Sequence, residues 1–229
     1  MAKQVEGNWW RQLDVFDPGV FTKEIHVVGA GAIGSHVVET LIKAGIGNIH
    51  VYDMDKVEDY NIPNQAYRRK HIGMQKVQAM AELAAELGAE ITAHDGAVEK
   101  IDLSTPGYVF IAVDNMEVRK SIFDSLEFNP NARVVEARMA AQYGEIYYID
   151  MLNLDQLTFW RSNWFPSASA PDSVCTNRAV GTTAKFMASI MVHCGLINWE
   201  ANDRKGEVDR PPPRHFVSLG PLMVMEKKV

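Results

Sequence analysis

Cysteine is scarce in this chain, with only Cys175 and Cys194 among 229 residues. That excludes a disulfide scaffold and points to a reducing compartment. It also removes the two Cys-x-x-Cys pairs of a tetrahedral thiolate site, and the seven histidines lack metal-ligand spacing, so no structural zinc is expected. Long apolar runs are missing too. The opening MAKQVEGNWWRQLDVF has nothing to serve as a signal peptide. The most apolar later stretch, Met187 to Ile197, is about half the length of a membrane span and contains His193. Positive charge is in deficit, with 23 Lys and Arg against 29 Asp and Glu, for a net −6. Sequence-independent nucleic-acid binding, which runs on clustered positive charge, is therefore not expected. There is no internal repeat, and the only biased tract is Pro211-Pro212-Pro213. What remains is 47% hydrophobic and long enough to bury a core unaided. The expectation is a cytoplasmic protein with no membrane segment.

Apolar periodicity alternates along the first half. Strands are predicted at Glu24 to Val28, Asn48 to Tyr52, Ile91 to Ala93 and Tyr108 to Val113. Between them lie helices at Ser35 to Ala44, Met74 to Leu87 and Glu117 to Leu126, the first two closed by Gly45 and Gly88. This order predicts an α/β, Rossmann-like, mostly parallel sheet with helices on both faces and ligands at the carboxyl ends of the strands. In the second half, Arg133 to Ala137, Glu145 to Ile149 and Leu157 to Arg161 read as strands on short turns, extending the sheet with antiparallel members. A Ser/Ala/Pro loop precedes a long helix from Arg178 to Trp199, and a last apolar stretch covers His215 to Met225.

Between the first strand and helix lies Gly29-Ala30-Gly31-Ala32-Ile33-Gly34. The first glycine permits the tight turn, the second lets the backbone approach a phosphate, and the third packs helix on strand. The helix start then presents N–H groups to an anion. Asp53 ends the second strand, where a carboxylate can bind ribose hydroxyls. The motif fits NAD in a dehydrogenase and ATP in an adenylating enzyme equally well.

The following residues separate the two. Ala44-Gly45-Ile46-Gly47-Asn48-Ile49 leads into Asp53, Asp55, Val57, Asn61 and Gln65, then Gly73 and Lys76, then Asp114-Asn115 with Arg119. Arg11-Gln12 precedes the first strand, and Cys175 with Ala179-Val180 precedes the long helix. This set resembles the ThiF/MoeB family, the bacterial relatives of ubiquitin-activating enzymes, across about residues 9 to 198.

The resemblance implies adenylation of the C-terminal carboxylate of a ubiquitin-like or sulfur-carrier protein ending in Gly-Gly, with ATP and Mg²⁺ and release of pyrophosphate. It assigns Gly29, Gly31 and Gly34 to the nucleotide and Asp53 to its ribose. Asp55, Asn61, Asn64, Gln65, Arg68 and Asn115 complete the nucleotide set, with Lys76 on the phosphates. Asp114 would hold Mg²⁺, and Arg11 would enter the partner's site in a homodimer. Cys175 would be available for acyl or sulfur transfer. The implied layout is one ThiF-like domain over 1–229. It comprises an N-terminal arm (1–22), a nucleotide-binding half (23–130) and a carrier-binding and dimerisation half (131–229) with a crossover loop at 162–177.

Taken singly, Lys76 reads as a solvated lysine, Asp114 as the cap of the following helix, and Arg68, Arg69 and Lys70 as a solvated face. One position departs from the family, because Asn64 stands where the pattern has arginine before Gln65. Arg68 or Arg69, one helical turn on, is the candidate substitute. Cys194 falls with Val180, Ala184, Met187 and Met191 on an apolar stripe, as a core residue. The alternatives are adenylation of a peptide or modified tRNA base, a catalytically weakened partner subunit, and an NAD-dependent oxidoreductase.

Overall fold

A computed structural model describes residues 5–169, 180–206 and 211–227. One eight-stranded sheet runs through them in the order β3-β2-β1-β4-β5-β6-β7-β8. The nucleotide half supplies β1 (Glu24–Val28), β2 (Ile49–Asp53), β3 (Thr92–Asp95) and β4 (Gly107–Ile111). These pair in parallel, as does β5 (Ala132–Met139) with β4. The sheet then turns antiparallel through β6 (Tyr143–Asp150), β7 (Arg214–Leu219) and β8 (Leu222–Lys227). The predicted mixed sheet is the one observed.

Helices cover both faces. On one lie α1 (Ala32–Lys43), α2 (Lys76–Glu86) and α5 (Gly181–Val192), whose Val37, Leu41, Met80, Met187 and Met191 pack on Val27, Val51 and Phe110. On the other lie α3 (Met116–Leu126) and α4 (Leu154–Ser162), against Val109, Ile111, Val134 and Ile149. The chain runs β1, β2, β3 outward to one side and then β4, β5 to the other. The strand order therefore reverses between β1 and β4, and a crevice opens at their carboxyl ends.

Three expectations are corrected. Leu157 to Arg161 is not a strand but the body of α4. Asn153 caps that helix by accepting the N–H groups of Asp155 and Gln156 at 3.1 Å each, and Leu157 and Trp160, three apart, share the buried side. An apolar run this short fits either period, and the cap decides it. The long helix is not uniform. After α5 it widens into a π turn at His193–Ile197, seating Gly195 against Val135 and Tyr148, and then continues as α6 (Asn198–Lys205). Its expected start at Arg178 lies outside the described residues. The last apolar stretch forms the hairpin β7–β8. On the expected helical stripe Ala184, Met187 and Met191 are buried, whereas Val180 is exposed and Cys194 half-buried.

Helix α4 matters beyond its own residues, because Trp160 stacks on Phe123 of α3 at 3.8 Å between ring centroids. Replacing Asn153 with Ala removes a cap accepting two backbone N–H groups. The expected cost is about 1 kcal/mol of unfolding free energy, read from urea denaturation as a lower midpoint at unchanged slope.

Candidate active site

The crevice holds a cavity of about 720 Å³ lined by the ends of β1, β2 and β4, the start of α1 and the segment leading to α2. The turn after β1 is fixed from several sides. Gly29 donates its N–H to Tyr52 at 2.8 Å and Ala30 to the Asp53 carboxylate at 2.7 Å, while the Tyr67 hydroxyl donates to the Ala30 carbonyl at 2.8 Å. Gly29 has φ +90°, and a side chain there would strike the backbone of Ala112 and Val113 at 2.9 Å. At Gly34 a Cβ would fall 1.8 Å from the Gly29 carbonyl oxygen. Gly31 differs, since a Cβ built on it meets nothing within 4 Å. It is the N-cap of α1, no side chain caps it, and it lines the cavity. The first N–H groups of a 12-residue helix are thus presented to the cavity, which is the arrangement that holds an anion.

Asp53 does more than the sequence reading assigned to it. One carboxylate oxygen accepts Ala30 N–H, the other accepts Asp55 N–H at 2.9 Å, and Lys76 Nζ lies 3.6 Å away. It is a brace for the glycine turn. A carboxylate has about four acceptor positions, so capacity remains for a hydroxyl.

Lys76 is not a solvated lysine. It opens α2, is 7% exposed, and places Nζ 2.7 Å from Asp55. Its charge is held inside the cavity wall by two acidic residues from the end of β2. Asn61 is buried and its side-chain oxygen accepts Glu58 N–H at 2.8 Å, bending the chain so that Asn61, Asn64 and Gln65 all reach the cavity. Gln65 Oε1 is buried with no hydrogen-bond partner among the described residues.

Asp114 and Asn115 follow β4. Asn115, not Asp114, caps α3, accepting Val118 N–H at 2.9 Å. Asp114 is left exposed at the cavity with no ion pair among the described residues. Behind it the cavity wall contains a buried charge cluster that the sequence reading missed. Glu136 is fully buried and accepts from Arg119 at 2.6 Å, from Arg138 at 2.8 and 3.2 Å, and from Trp160 Nε1. Burial alone would raise its pKa, but the charges of Arg138 and Arg119 outweigh that and hold it below the ordinary carboxylate value. Arg138 and Phe165 line the cavity, as does Lys56. A signal for the cluster existed in Val-Val-Glu-Ala-Arg-Met-Ala, where two charges interrupt a buried strand on one side of its pleat.

Tyr52 also lines the cavity and anchors a row of rings across β1, β2 and β3. His26 Nδ1 meets Tyr52 Oη at 2.9 Å, and His94 stacks on Tyr52 at 4.2 Å. Burial, followed by the neighbouring His50, pushes His26 down to about 4, so it is neutral near pH 7.

With this geometry in place, comparison with known proteins is decisive at one level. The ThiF family model matches residues 19–197. The chain belongs to the ThiF family. It is 29% identical over 136 residues to SUMO-activating enzyme subunit 2 of Dictyostelium discoideum, covering 56% of this chain and 20% of that protein. It is 36% identical over 93 residues to the adenylyltransferase and sulfurtransferase UBA4 of Yarrowia lipolytica, covering 38% and 24%. The chain thus spans about a quarter or less of these relatives. Among solved structures, E. coli MccB with ATP superposes with TM-score 0.67 at 12% identity, over 90% of this chain and 64% of MccB. PaaA superposes with TM-score 0.66 at 17% identity, over 90% and 73%. At such identity the structures establish a shared ThiF-like fold.

Within that fold, three ThiF-like assignments fall away from the cavity or beyond view. Arg68 does not line it. Its guanidinium pairs with Glu86, while Arg69 pairs with Asp59 at 3.4 Å, so neither side chain takes the place of the missing arginine at 64. Arg11 is exposed on an arm fastened to the far end of α1, where Trp9 Nε1 donates to the Lys43 carbonyl and Gln12 to Ala44. Twelve helical residues, about 18 Å at 1.5 Å each, separate that end from the glycine turn. Cys175, the second half of the loop expected over 162–177 and the family's link into α5 lie outside the described residues. Burial pushes the thiol of Cys194 up, and it packs at the edge of the core away from the cavity.

Gly34 and Gly31 separate by measurement. Gly34→Ala must displace backbone and is expected to cost more than about 3 kcal/mol. Gly31→Ala projects into open space and should melt within about 4 °C of wild type. Equal melting temperatures for the two variants would refute the roles given to them.

Proposed function

We propose that the cavity binds ATP as substrate and that the chain adenylates a carboxylate at the C-terminal end of a ubiquitin-like or sulfur-carrier protein. The observation that carries this reading is the convergence on one cavity of an uncapped helix start, a buried lysine and an unpaired carboxylate. In the reaction a carboxylate oxygen forms a bond to the α-phosphorus of ATP. The bond from that phosphorus to the bridging oxygen breaks, and pyrophosphate leaves with the electron pair. The names of the relatives, a SUMO-activating subunit and an adenylyltransferase, support the class of reaction and of partner.

The residues fit the nucleotide. Gly31 leaves room that a side chain would fill, and the N–H groups of α1 face that room. Gln65 Oε1 is an orphaned acceptor suited to an N–H or hydroxyl of a ligand. Lys76 would neutralise charge growing on the phosphates, a contribution that can reach several kcal/mol where water is excluded. Its contact with Asp55 keeps the ammonium aimed inward in the meantime. Asp53 would offer its remaining acceptor capacity to ribose, and Asn115 would hold the α3 start beside it. No group of three metal-ligating side chains occurs among the described residues. Mg²⁺ would therefore rest on Asp114 and on the phosphates themselves, the usual sharing for this ion.

Asn64 favours a second reading, in which the chain is the weakened member of a two-subunit enzyme. It supplies no charge where the family has arginine. Arg11, remote from its own cavity, is available to a partner's cavity in a homodimer under the first reading.

Calorimetric titration should show binding of ATP with Mg²⁺ and none of NAD. NAD binding in its place would refute the adenylation reading. With a Gly-Gly-ended carrier, Lys76→Ala and Asp114→Ala should each lower pyrophosphate–ATP exchange by about 100-fold or more. Full activity in both would exclude the assigned roles. Mixing Arg11→Ala with Asp114→Ala protein should regain part of the exchange activity if Arg11 acts across a dimer. Absence of regain after demonstrated subunit exchange would place Arg11 outside the site.

A further inference from the structure

Arg138 has no role in the chemistry described so far, yet its placement is specific. Val28, Ile111 and Glu136 form one row across β1, β4 and β5. Arg138 stands two residues past that row on β5, level with the turns that carry Gly29 and Asp114. Two strand spacings separate β5 from β1, about 10 Å at 4.8 Å each. The guanidinium is held rather than free. Nε and one terminal nitrogen bind the buried Glu136 carboxylate, and the other terminal nitrogen donates to the Asn163 carbonyl at 2.7 Å. Tyr147 lies beneath it at 4.5 Å and Phe165 beside it at 5.6 Å. Of the five N–H groups of an arginine, three are used, and two have no partner among the described residues. The side chain is more than nine-tenths buried and still lines the cavity.

Charge points the same way. Arg119 and Arg138 together exceed Glu136 by one positive charge, and this surplus sits at the end of the cavity farthest from Asp53 and Asp55. Arg119 directs its bonds to the carbonyls of Val113 and Ala137 and to Glu136, tying the ends of β4 and β5 together. Arg138 is the other guanidinium of the pair, and two of its N–H groups have no partner among the described residues.

We infer that Arg138 is a substrate-binding residue that grips an extended peptide tail about three residues from its carboxyl end, with Glu136 as its positioning residue. The inference rests on the adenylation reading above and specifies its acyl substrate. An extended chain advances about 3.4 Å per residue, so a tail whose carboxyl end reaches the glycine turn passes Arg138 about three residues earlier. There the two open N–H groups meet backbone carbonyl oxygens, which every tail carries. A small carboxylic acid or a single amino acid is too short to reach both places. The site therefore selects for a peptide end.

Sulfamoyl adenosines carrying one, two or three glycines are stable mimics of acyl-adenylates and serve as probes for the full chain. For wild type, calorimetry should show affinity rising about tenfold between the one- and three-glycine compounds, the scale of a hydrogen bond to a charged donor. Arg138→Gln should flatten the series, Arg138→Lys should restore part of it, and ATP affinity should stay within twofold in both. Thermal melting checks that each variant is folded. Should Arg138→Gln unfold, the paired variant Glu136→Gln/Arg138→Gln removes both charges together and must give the same flat series. A flat series in wild type, or an undiminished rise in a folded Arg138→Gln or paired variant, overturns the inference and leaves the adenylation reading standing. If wild type binds neither ATP nor any of the three compounds, it is the adenylation reading that fails, and the inference with it.

Discussion

The carboxylate of Asp53 is the constraint on which the site depends. It ends β2, yet it reaches across to the turn after β1 and accepts Ala30 N–H, while its other oxygen fixes the chain direction at Asp55. A turn with glycine on either side of Ala30 has little to hold its shape, and its conformational freedom is costly to restrain. The charged acceptor makes a stronger hydrogen bond than a neutral one, and the Tyr67 hydroxyl closes the same turn from below. The helix start of α1 therefore faces the cavity in one orientation. Because Asp55 follows immediately, the brace also decides where Lys76 finds its counter-ion. One carboxylate links glycine turn, lysine and sheet.

A second buried carboxylate performs the matching task on the other side of the crevice. Glu136 has no exposure and still remains ionised, because two guanidinium groups and an indole N–H surround it. Burying charge is expensive, and a pair of this kind is seldom a net source of stability. Its value here is direction. Arg119 ties the end of β4 to β5 through the carbonyls of Val113 and Ala137, and so sets the turn from which Asp114 emerges. Arg138 ties β5 to the end of α4 through Asn163. The elements that Rossmann-like chains leave to loops are locked in this protein by charge.

Much of this was legible in the residues, and what was not has a common cause. The β1–turn–α1 unit, the acid at the end of β2 and the alternation of strands and helices all rest on local signals. These are glycine spacing, apolar period and an acid at a strand end, each contained within about 30 residues. The failures were of two kinds. Leu157 to Arg161 carries an apolar run too short to choose its own period, and the choice was made by Asn153 outside it. Glu136 and Arg138 stand two apart on β5, where they visibly interrupt a buried strand, but Arg119, Trp160 and Phe165 join them only through the fold, so no spacing in the chain announces those partners. Arg68 failed for a related reason. Proximity to Gln65 along the chain suggested a substitute for the absent arginine, but the short helical turn at Arg69 to His71 aims it toward Glu86 on α2.

The missing arginine at position 64 takes on a different meaning in this light. A ThiF-like cavity needs positive charge in proportion to the anions it brings together, and a chain that lacks one cation can place its charge elsewhere along the path. Here the buried lysine stands at the β2 end, the exposed acid at Asp114 stands midway on the turn after β4, and the surplus arginine charge stands on β5 at the other end. The cavity is therefore polarised along the sheet, from the glycine turn toward Phe165. A nucleotide alone would occupy only the first part of that axis. An anionic tail entering from the Phe165 end would feel the attraction of Arg138 before the repulsion of the phosphates, which falls off with distance and with the counter-charge of Lys76. The order of encounter would then be written into the order of the strands, because β5, β4 and β1 present arginine, aspartate and helix start in the sequence in which such a tail would meet them.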